Sequence, residues 1–248
     1  MLQKFSIVTP TLNQAHFIKD TIESVLNQNY KNFEHIIVDG GSTDNTLEIL
    51  KDFPHLKWIS EKDSGPANAI NKGFQMATGD IFAWINSDDY YVPNIFEFIN
   101  SEFLKNLDKK LLFGHLIFID KNKKKLFDDW KAIYDRDFLI RRKPDIRQPS
   151  TFFLKSLYQE VGELDEELKI VFDYDLFLRM LSFTDAIYTE KKLSYFRVYN
   201  ETLTNRNFRK QALEIFKVSR RNGGKIFDKI NLSNLIKLIY PGYFKLKE

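Results

Sequence analysis

No cysteine occurs among the 248 residues, which excludes disulfides, zinc–thiolate sites and a thiol nucleophile. The fold must hold by packing alone, and the composition fits a reducing compartment. Histidine is scarce too: His16, His35, His55 and His115 have no metal-ligand spacing, which argues against a zinc site. No window approaches about 18 uninterrupted apolar residues, so no membrane span is expected. The N-terminal "MLQKFSIVTP" lacks the apolar core of a secretory signal, which predicts a cytoplasmic chain. Both common phosphate-binding glycine loops are missing. A dinucleotide site needs G-x-G-x-x-G after the first strand, yet "TPTLNQAHF" holds no glycine, and G-x-x-x-x-G-K-[ST] is absent.

What is present, 43% hydrophobic and 15% aromatic residues, suffices for one large globular domain or a domain with an appendage. Charge is unevenly placed. Residues 205–248 carry 11 Lys and Arg against 3 Asp and Glu, whereas residues 1–204 carry 26 against 31. Within the basic tail, Leu232, Leu235, Ile236, Leu238 and Ile239 recur at near-helical spacing. Such a helix either packs back on the body or lies on an anionic membrane surface at the inner face of the plasma membrane. The tail has no recognisable base-reading motif and the body is acidic, so no nucleic acid partner is expected.

Apolar runs and 3.6-residue periods alternate along the first third. "KFSIVT" reads as a strand, "FIKDTIESVLNQ" as a helix, Glu34 to Val38 as a strand and the segment after Gly40-Gly41 as a helix. "LKWIS", "GPANAINKGFQMA" and "DIFAWI" continue the alternation, and a further helix is expected from about Pro93. This pattern predicts an α/β fold with a mostly parallel, Rossmann-like sheet flanked by helices. Ligands of such sheets sit beyond the carboxyl ends of the strands. Polar clusters stand at each expected end: Thr9-Pro10-Thr11, Asp39-Gly-Gly-Ser, Ser60-Glu-Lys-Asp63 and Asn86-Ser-Asp-Asp89. Any one of them is ordinary turn chemistry; four on one edge point to a site.

The fourth cluster decides which ligand. Adjacent carboxylates beside a carboxamide are hard oxygen ligands suited to Mg2+ or Mn2+, ions commonly shared with substrate phosphates. Helix capping accounts for them poorly, because a cap is a single residue next to the helix start.

The segments "IVTPTLNQAHFIKDTIESVLNQNYKNFEHIIVDGGSTDNT", "SEKDSGPANAINKGFQMATGD" and "WINSDDYYVP" resemble, in order and spacing, the nucleotide-sugar-binding half of family 2 glycosyltransferases of the GT-A fold. The resemblance covers about residues 4–95 and resumes at "QPSTFF" and "GELDEELKIVFDYDLFLRM". It implies a GT-A catalytic domain over 1–204, with nucleotide-sugar binding in about 1–95, the acceptor side and base in about 96–204, and a basic helical extension over 205–248. Asn86-Ser-Asp88 stands at the family's D-x-D motif. Asp88 is the implied metal ligand, with Asn86 or Asp89 supporting it or touching the ribose. Asp39 matches the nucleobase contact, Thr9 and Pro10 would line the base pocket, and Asp63 matches a residue near the ribose. Asn71 falls in a helix beside the site.

Asp173, in "FDYDLFLRML", matches the acid that closes the family's "ED" motif, the general base of inverting members; an acceptor hydroxyl needs such a base to become an effective nucleophile. Asp175 reads as an i,i+4 partner of Arg179. Departures are visible: Phe172 replaces the glutamate that often precedes the base, Asn86 replaces the first acid of many D-x-D motifs, and Tyr199 stands where a histidine often follows Arg197 by two residues. Arg147 and Gln148 in the basic loop "IRRKPDIRQPSTFF", together with Arg197, are candidate phosphate or acceptor contacts, although a solvated charge run is the commoner meaning of such a loop. The implied function is inverting transfer of a sugar from a UDP, GDP or dTDP donor to a hydroxyl, on a glycan or lipid-linked acceptor of a bacterial surface polysaccharide. A sugar nucleotidyltransferase and a noncatalytic nucleotide-sugar binding module are the alternatives.

Overall fold

The structure, a computed structural model, describes residues 2–128, 135–142, 146–199 and 208–239. Part of the expected basic loop, at 143–145, and the end of the tail, at 240–248, lie outside the described residues. The alternating segments become β1 (Phe5–Thr11), α1 (Ile18–Leu26), β2 (Phe33–Asp39), α2 (Thr46–Lys51), β3 (Lys57–Ser60), α3 (Pro66–Met76) and β4 (Ile81–Trp84). The first four strands lie parallel in the order β3-β2-β1-β4. β1 is buried along its whole length, so apolar side chains such as Phe5, Ile7 and Val8 occur on both of its faces rather than on one.

β1 runs two residues beyond the "KFSIVT" segment, through Pro10 to Thr11. Register explains why a proline is tolerated there. Its ring nitrogen faces the same side as Val8, and β4 ends at the Val8–Trp84 pair, so no ladder bond is forfeited. α3 begins at Pro66 in the first helical position, after Gly65 with φ of +131°. It packs close on β1 at Gly73, where a Cβ would fall 2.4 Å from Val8 Cγ1.

Beyond β4 the sheet becomes mixed, a departure from the parallel pattern of the first half. β5 (Tyr90–Tyr91), α4 (Phe96–Lys105), β6 (Leu111–Ile119), β7 (Lys125–Asp128), α5 (Arg136–Arg141), β8 (Thr151–Leu154), α6 (Lys155–Val161), α7 (Phe172–Met180) and β9 (Ala186–Arg197) complete the body. The order continues β4-β8-β6-β9-β5: β8 is antiparallel to β4 and β6, while β9 is parallel to β6.

Two further helices, α8 (Phe208–Arg221) and α9 (Lys229–Ile239), form the basic extension. Their Ile215, Val218 and Ile230 belong to the same buried cluster as Trp84 and Phe177. Trp84 closes β4 just before the acidic segment, and its ring stacks on Phe177 of α7 at 5.5 Å. Such a pair contributes about 1 kcal/mol beyond area burial and joins the two halves of the sequence at the base of the site.

Candidate functional site

A cavity of about 730 Å³ opens beyond the ends of β1 and β4. Pro10, Asp63, Asn86, Asp88 and Asp89 line one part of it; Arg147, Gln148, Asp173, Arg197 and Tyr199 line another. These ten side chains come from six segments spread along the sequence, brought together by the crossover from the parallel half to β8, β6 and β9.

The acidic segment is held from several sides. Asp89 is buried; its Oδ1 accepts the backbone N–H of Arg197 at 2.9 Å, its Oδ2 accepts Asn86 Nδ2 at 3.4 Å, and its carbonyl accepts the Thr21 hydroxyl at 2.6 Å. Asn86 also donates to Gln148 Oε1 at 3.3 Å, and Gln148 Nε2 donates to the Trp84 carbonyl at 2.7 Å. Gln148 therefore sits beside the donor-side amide. Asp88 Oδ2 accepts the Tyr199 hydroxyl at 2.7 Å.

Arg197 is buried, and its guanidinium is engaged on all three nitrogens. Nε donates to the Asp88 carbonyl (2.8 Å), one terminal nitrogen to the Lys121 carbonyl (2.8 Å) and the other to Asp20 Oδ2 (3.0 Å), while its plane lies 4.4 Å over the Phe17 ring. It pins the Asp88-Asp89 loop to β9. Thr9 and Asp39 are not among the lining residues. The Thr9 hydroxyl bonds His35 Nε2 at 2.9 Å, inside the sheet. Asp39 accepts from Gly41 N, Ser42 N and the Ser42 and Ser60 hydroxyls, so its carboxylate shapes its own loop.

Asp173 occupies the first turn of α7 and accepts the Tyr174 N–H at 2.8 Å. Burial pushes its carboxyl up to about 6, the range suited to a general base near neutral pH. Asn71 fixes the preceding loop: its amide donates to the Leu164 carbonyl and Glu166, and accepts from Leu164 N and the Tyr158 hydroxyl. Asp175 does pair with Arg179, at 3.0 Å, and also with Arg221 of α8.

The profile described as Glycosyl transferase family 2 matches residues 6–154. The chain belongs to that family. An uncharacterized glycosyltransferase of Rickettsia typhi is 30% identical over 209 residues, covering 81% of this chain and 65% of that protein. The chain thus spans just under two thirds of the length of that relative. A PGL/p-HBAD biosynthesis glycosyltransferase of Mycobacterium bovis is 29% identical over 227 residues, covering 88% and 86%. Among solved structures, S. aureus TarS in complex with UDP-GlcNAc superposes with a TM-score of 0.69 at 16% identity, covering 95% of this chain and 71% of that one. The mannosyltransferase PcManGT of Pyrobaculum calidifontis, in complex with GDP-Man and Mn2+, gives 0.66 at 17%, covering 96% and 70%. The fold is of the GT-A type.

In this family 2 chain the donor set suits a shared rather than a caged cation. Among the described residues no three His, Asp or Glu side chains converge to hold an ion. Burial raises the Asp88 carboxyl, and burial followed by the Asp88 charge raises Asp89 well above the usual range. Two neighbouring carboxylates in that condition favour a cation, and one carboxylate plus substrate phosphates is a common way to hold Mg2+. The residues fit such an ion. Two buried polar atoms of the lining residues, Thr11 Oγ1 and Trp84 Nε1, have no hydrogen-bond partner in the described structure, which marks them as groups left for a ligand. Sequence reasoning gave neither a ligand role; a buried orphan atom has no sequence signal.

Proposed function

We propose that this chain is an inverting glycosyltransferase that moves a sugar from a nucleoside-diphosphate donor to a hydroxyl. The observation that carries the reading is the cavity shared by Asn86, Asp88, Asp89 and Asp173. TarS and PcManGT are recorded with UDP-GlcNAc and GDP-Man, which supports a nucleotide-sugar donor; UDP, GDP and dTDP are the candidate classes. Pro10, Asp63 and Thr11 lie on the donor side. Asp39, its loop already saturated, and Thr9 would serve the base pocket from behind.

In the step proposed, a lone pair of the acceptor hydroxyl attacks the anomeric carbon from the face opposite the leaving group. Asp173 takes the hydroxyl proton as that bond forms, and the bond to the diphosphate oxygen breaks with its electron pair leaving on the nucleoside diphosphate. A divalent cation, Mn2+ or Mg2+, held by Asp88 with Asn86 and Asp89 in support, would offset charge on the departing diphosphate. Arg147, buried in the cavity wall, and Gln148 remain candidate contacts to phosphate or acceptor, whereas Arg197 supports the acidic loop.

The acceptor is read as a bacterial surface glycan or lipid-linked glycan, made at the cytoplasmic face of the membrane. The mycobacterial relative is a PGL/p-HBAD biosynthesis glycosyltransferase by name, which supports a biosynthetic role. No helix among the described residues is long and apolar enough to cross a membrane. Peripheral contact is supported by Phe227, 84% exposed, and Ile236, 46% exposed, beside Arg142 and Lys229. α9 packs on the body through Ile230, Asn231 and Asn234 and turns Leu232 and Ile236 outward. Phe227→Glu should weaken salt-sensitive binding to anionic vesicles; binding equal to that of the unaltered chain would refute the contact.

The enzymatic reading is tested by incubating a panel of nucleotide sugars with Mn2+ and a membrane-lipid extract. Release of one nucleoside diphosphate, with inverted anomeric configuration in the product, is expected. Pyrophosphate formation from a sugar phosphate and a nucleoside triphosphate would contradict it.

A further inference from the structure

One buried carboxylate outside the cavity is spent on the approach to Asp173. Glu214, on α8, accepts three consecutive backbone N–H groups: Lys169 at 3.1 Å, Ile170 at 2.9 Å and Val171 at 3.2 Å. Val171 is the residue immediately before α7, and Asp173 stands in that helix's first turn. Residues 169–171 belong to no strand or helix, so without Glu214 these N–H groups would be unpaired donors in a part-buried setting. A carboxylate at that position also complements the positive end of α7. Glu214 is only 5% exposed, and little solvent competes for its oxygens.

The same helix meets α7 again on the other side of the base. Arg221 donates to Asp175 Oδ1 at 3.1 Å and to Asp165 Oδ2 at 2.8 Å. Asp173 is thereby bracketed by α8 at positions 171 and 175. Lys169, whose N–H Glu214 holds, reaches with Nζ to the Ser64 carbonyl at 2.9 Å, beside Asp63 on the donor side. The loop that Glu214 fixes is thus tied at its other end to the nucleotide half. Glu214, Arg221 and residues 165–175 all lie outside residues 6–154, the part of the chain that matches the family profile.

We propose that Glu214 is a positioning residue for the base: by gathering the N–H groups of residues 169–171 it fixes Asp173 within the cavity, and it makes α8 part of the catalytic apparatus rather than an appendage. The inference rests on the reading of Asp173 as base.

The test is Glu214→Gln in the full chain. Glutamine keeps the size and one acceptor but turns an NH2 toward an N–H, which slackens the hold. Turnover is read as nucleoside diphosphate released from whichever nucleotide sugar stabilises the protein, with water as acceptor. A misplacement near 1 Å costs up to about a hundredfold in rate. Glu214→Gln is therefore expected to lower kcat about tenfold to a hundredfold while the donor KM stays within about twofold and the donor-induced thermal shift is retained. In an Asp173→Asn background it should remove little further, because effects passing through one group do not add. Glu214→Asp keeps the charge and both acceptors with a shorter reach, and serves where the glutamine variant does not fold; the same split is expected. Unchanged kcat, or an equal fold loss in both backgrounds, would overturn the role of Glu214. A fully active Asp173→Asn would overturn instead the base assignment on which it rests.

Discussion

At the scale of single residues, the two ends of the proposed reaction fall to different kinds of carboxylate. Asp173 is a half-buried acid at the cavity wall, and desolvation there raises its carboxyl to about 6. Only its ionised form can accept a proton, so turnover should fall as pH drops through about 6 and level off above it. A pH–rate profile flat down to pH 5 would contradict that role. Asp173→Asn should lower kcat by about 10² to 10⁴ with donor binding retained, the range ordinarily lost with a general base. The acid cluster was legible because a polar run follows directly on an apolar strand, and Asn86, Asp88, Asp89 and Asp173 all line the cavity. The directions of Thr9 and Asp39 were not legible. Thr9 turns to the buried His35, and Asp39 is consumed by donors from its own loop and from Ser60; both depend on neighbours that spacing cannot reveal. Tyr199 likewise reads only as a departure in sequence, yet it donates to Asp88.

At the scale of elements, the parallel strands and their helices could be read from local periodicity, because each buries a face set by its own pattern. The pairing of β5 with β9 and of β6 with β8 and β9 has no local signal. It arises from contacts between residues distant in sequence, such as Leu112 with Phe152, Leu112 with Ile187 and Tyr90 with Tyr195. That pairing stitches the acidic segment to Arg197 and brings Tyr199 to Asp88. Two element-level ties invite measurement. Glu34 of β2 accepts from Lys57 (2.7 Å), Lys4 (3.1 Å), Ser6 (2.5 Å) and Thr78 N (2.7 Å), joining β1, β2, β3 and the approach to β4. Glu34→Gln should cost about 2 kcal/mol in urea unfolding, since buried donors lose a charged partner. Asp175, buried between Arg179 and Arg221, should cost about 3 kcal/mol as Asp175→Ala, with α8 loosened from α7. A loss below about 0.5 kcal/mol in either variant would show that the corresponding tie contributes little.

At the scale of the whole molecule, the buried groups set an acid limit. Burial drives His35 down to about 3, with the His55 charge adding to it, so the folded chain refuses a proton that the unfolded chain takes near 6.5. Stability tied to His35 is therefore complete above about 6.5 and is lost progressively as pH falls below it. For Glu34, burial pushes the carboxyl up, but hydrogen bonds from Lys57, Ser6, Thr78 and Lys4 prevail and hold it well below the usual range. Its contribution persists above about 4.5 and is lost below that. Between pH 7 and pH 5 the raised carboxyls of Asp173, Asp88 and Asp89 act in the opposite sense, because they take up protons in the folded chain first. The acid limit is therefore read below about 4.5, where urea midpoints should decline steeply toward about pH 3; midpoints independent of pH across that span would contradict the burial of both groups.

The account as a whole turns on whether Asp88 shares a cation with a nucleotide. Thermal unfolding with UDP, GDP, dTDP and CDP, each with and without Mn2+, reads this directly, because a ligand that binds only the folded state raises its midpoint by mass action. The account predicts a rise with one nucleotide that requires Mn2+ and disappears in Asp88→Ala. A rise that persists in Asp88→Ala, or none with any nucleotide, would contradict it.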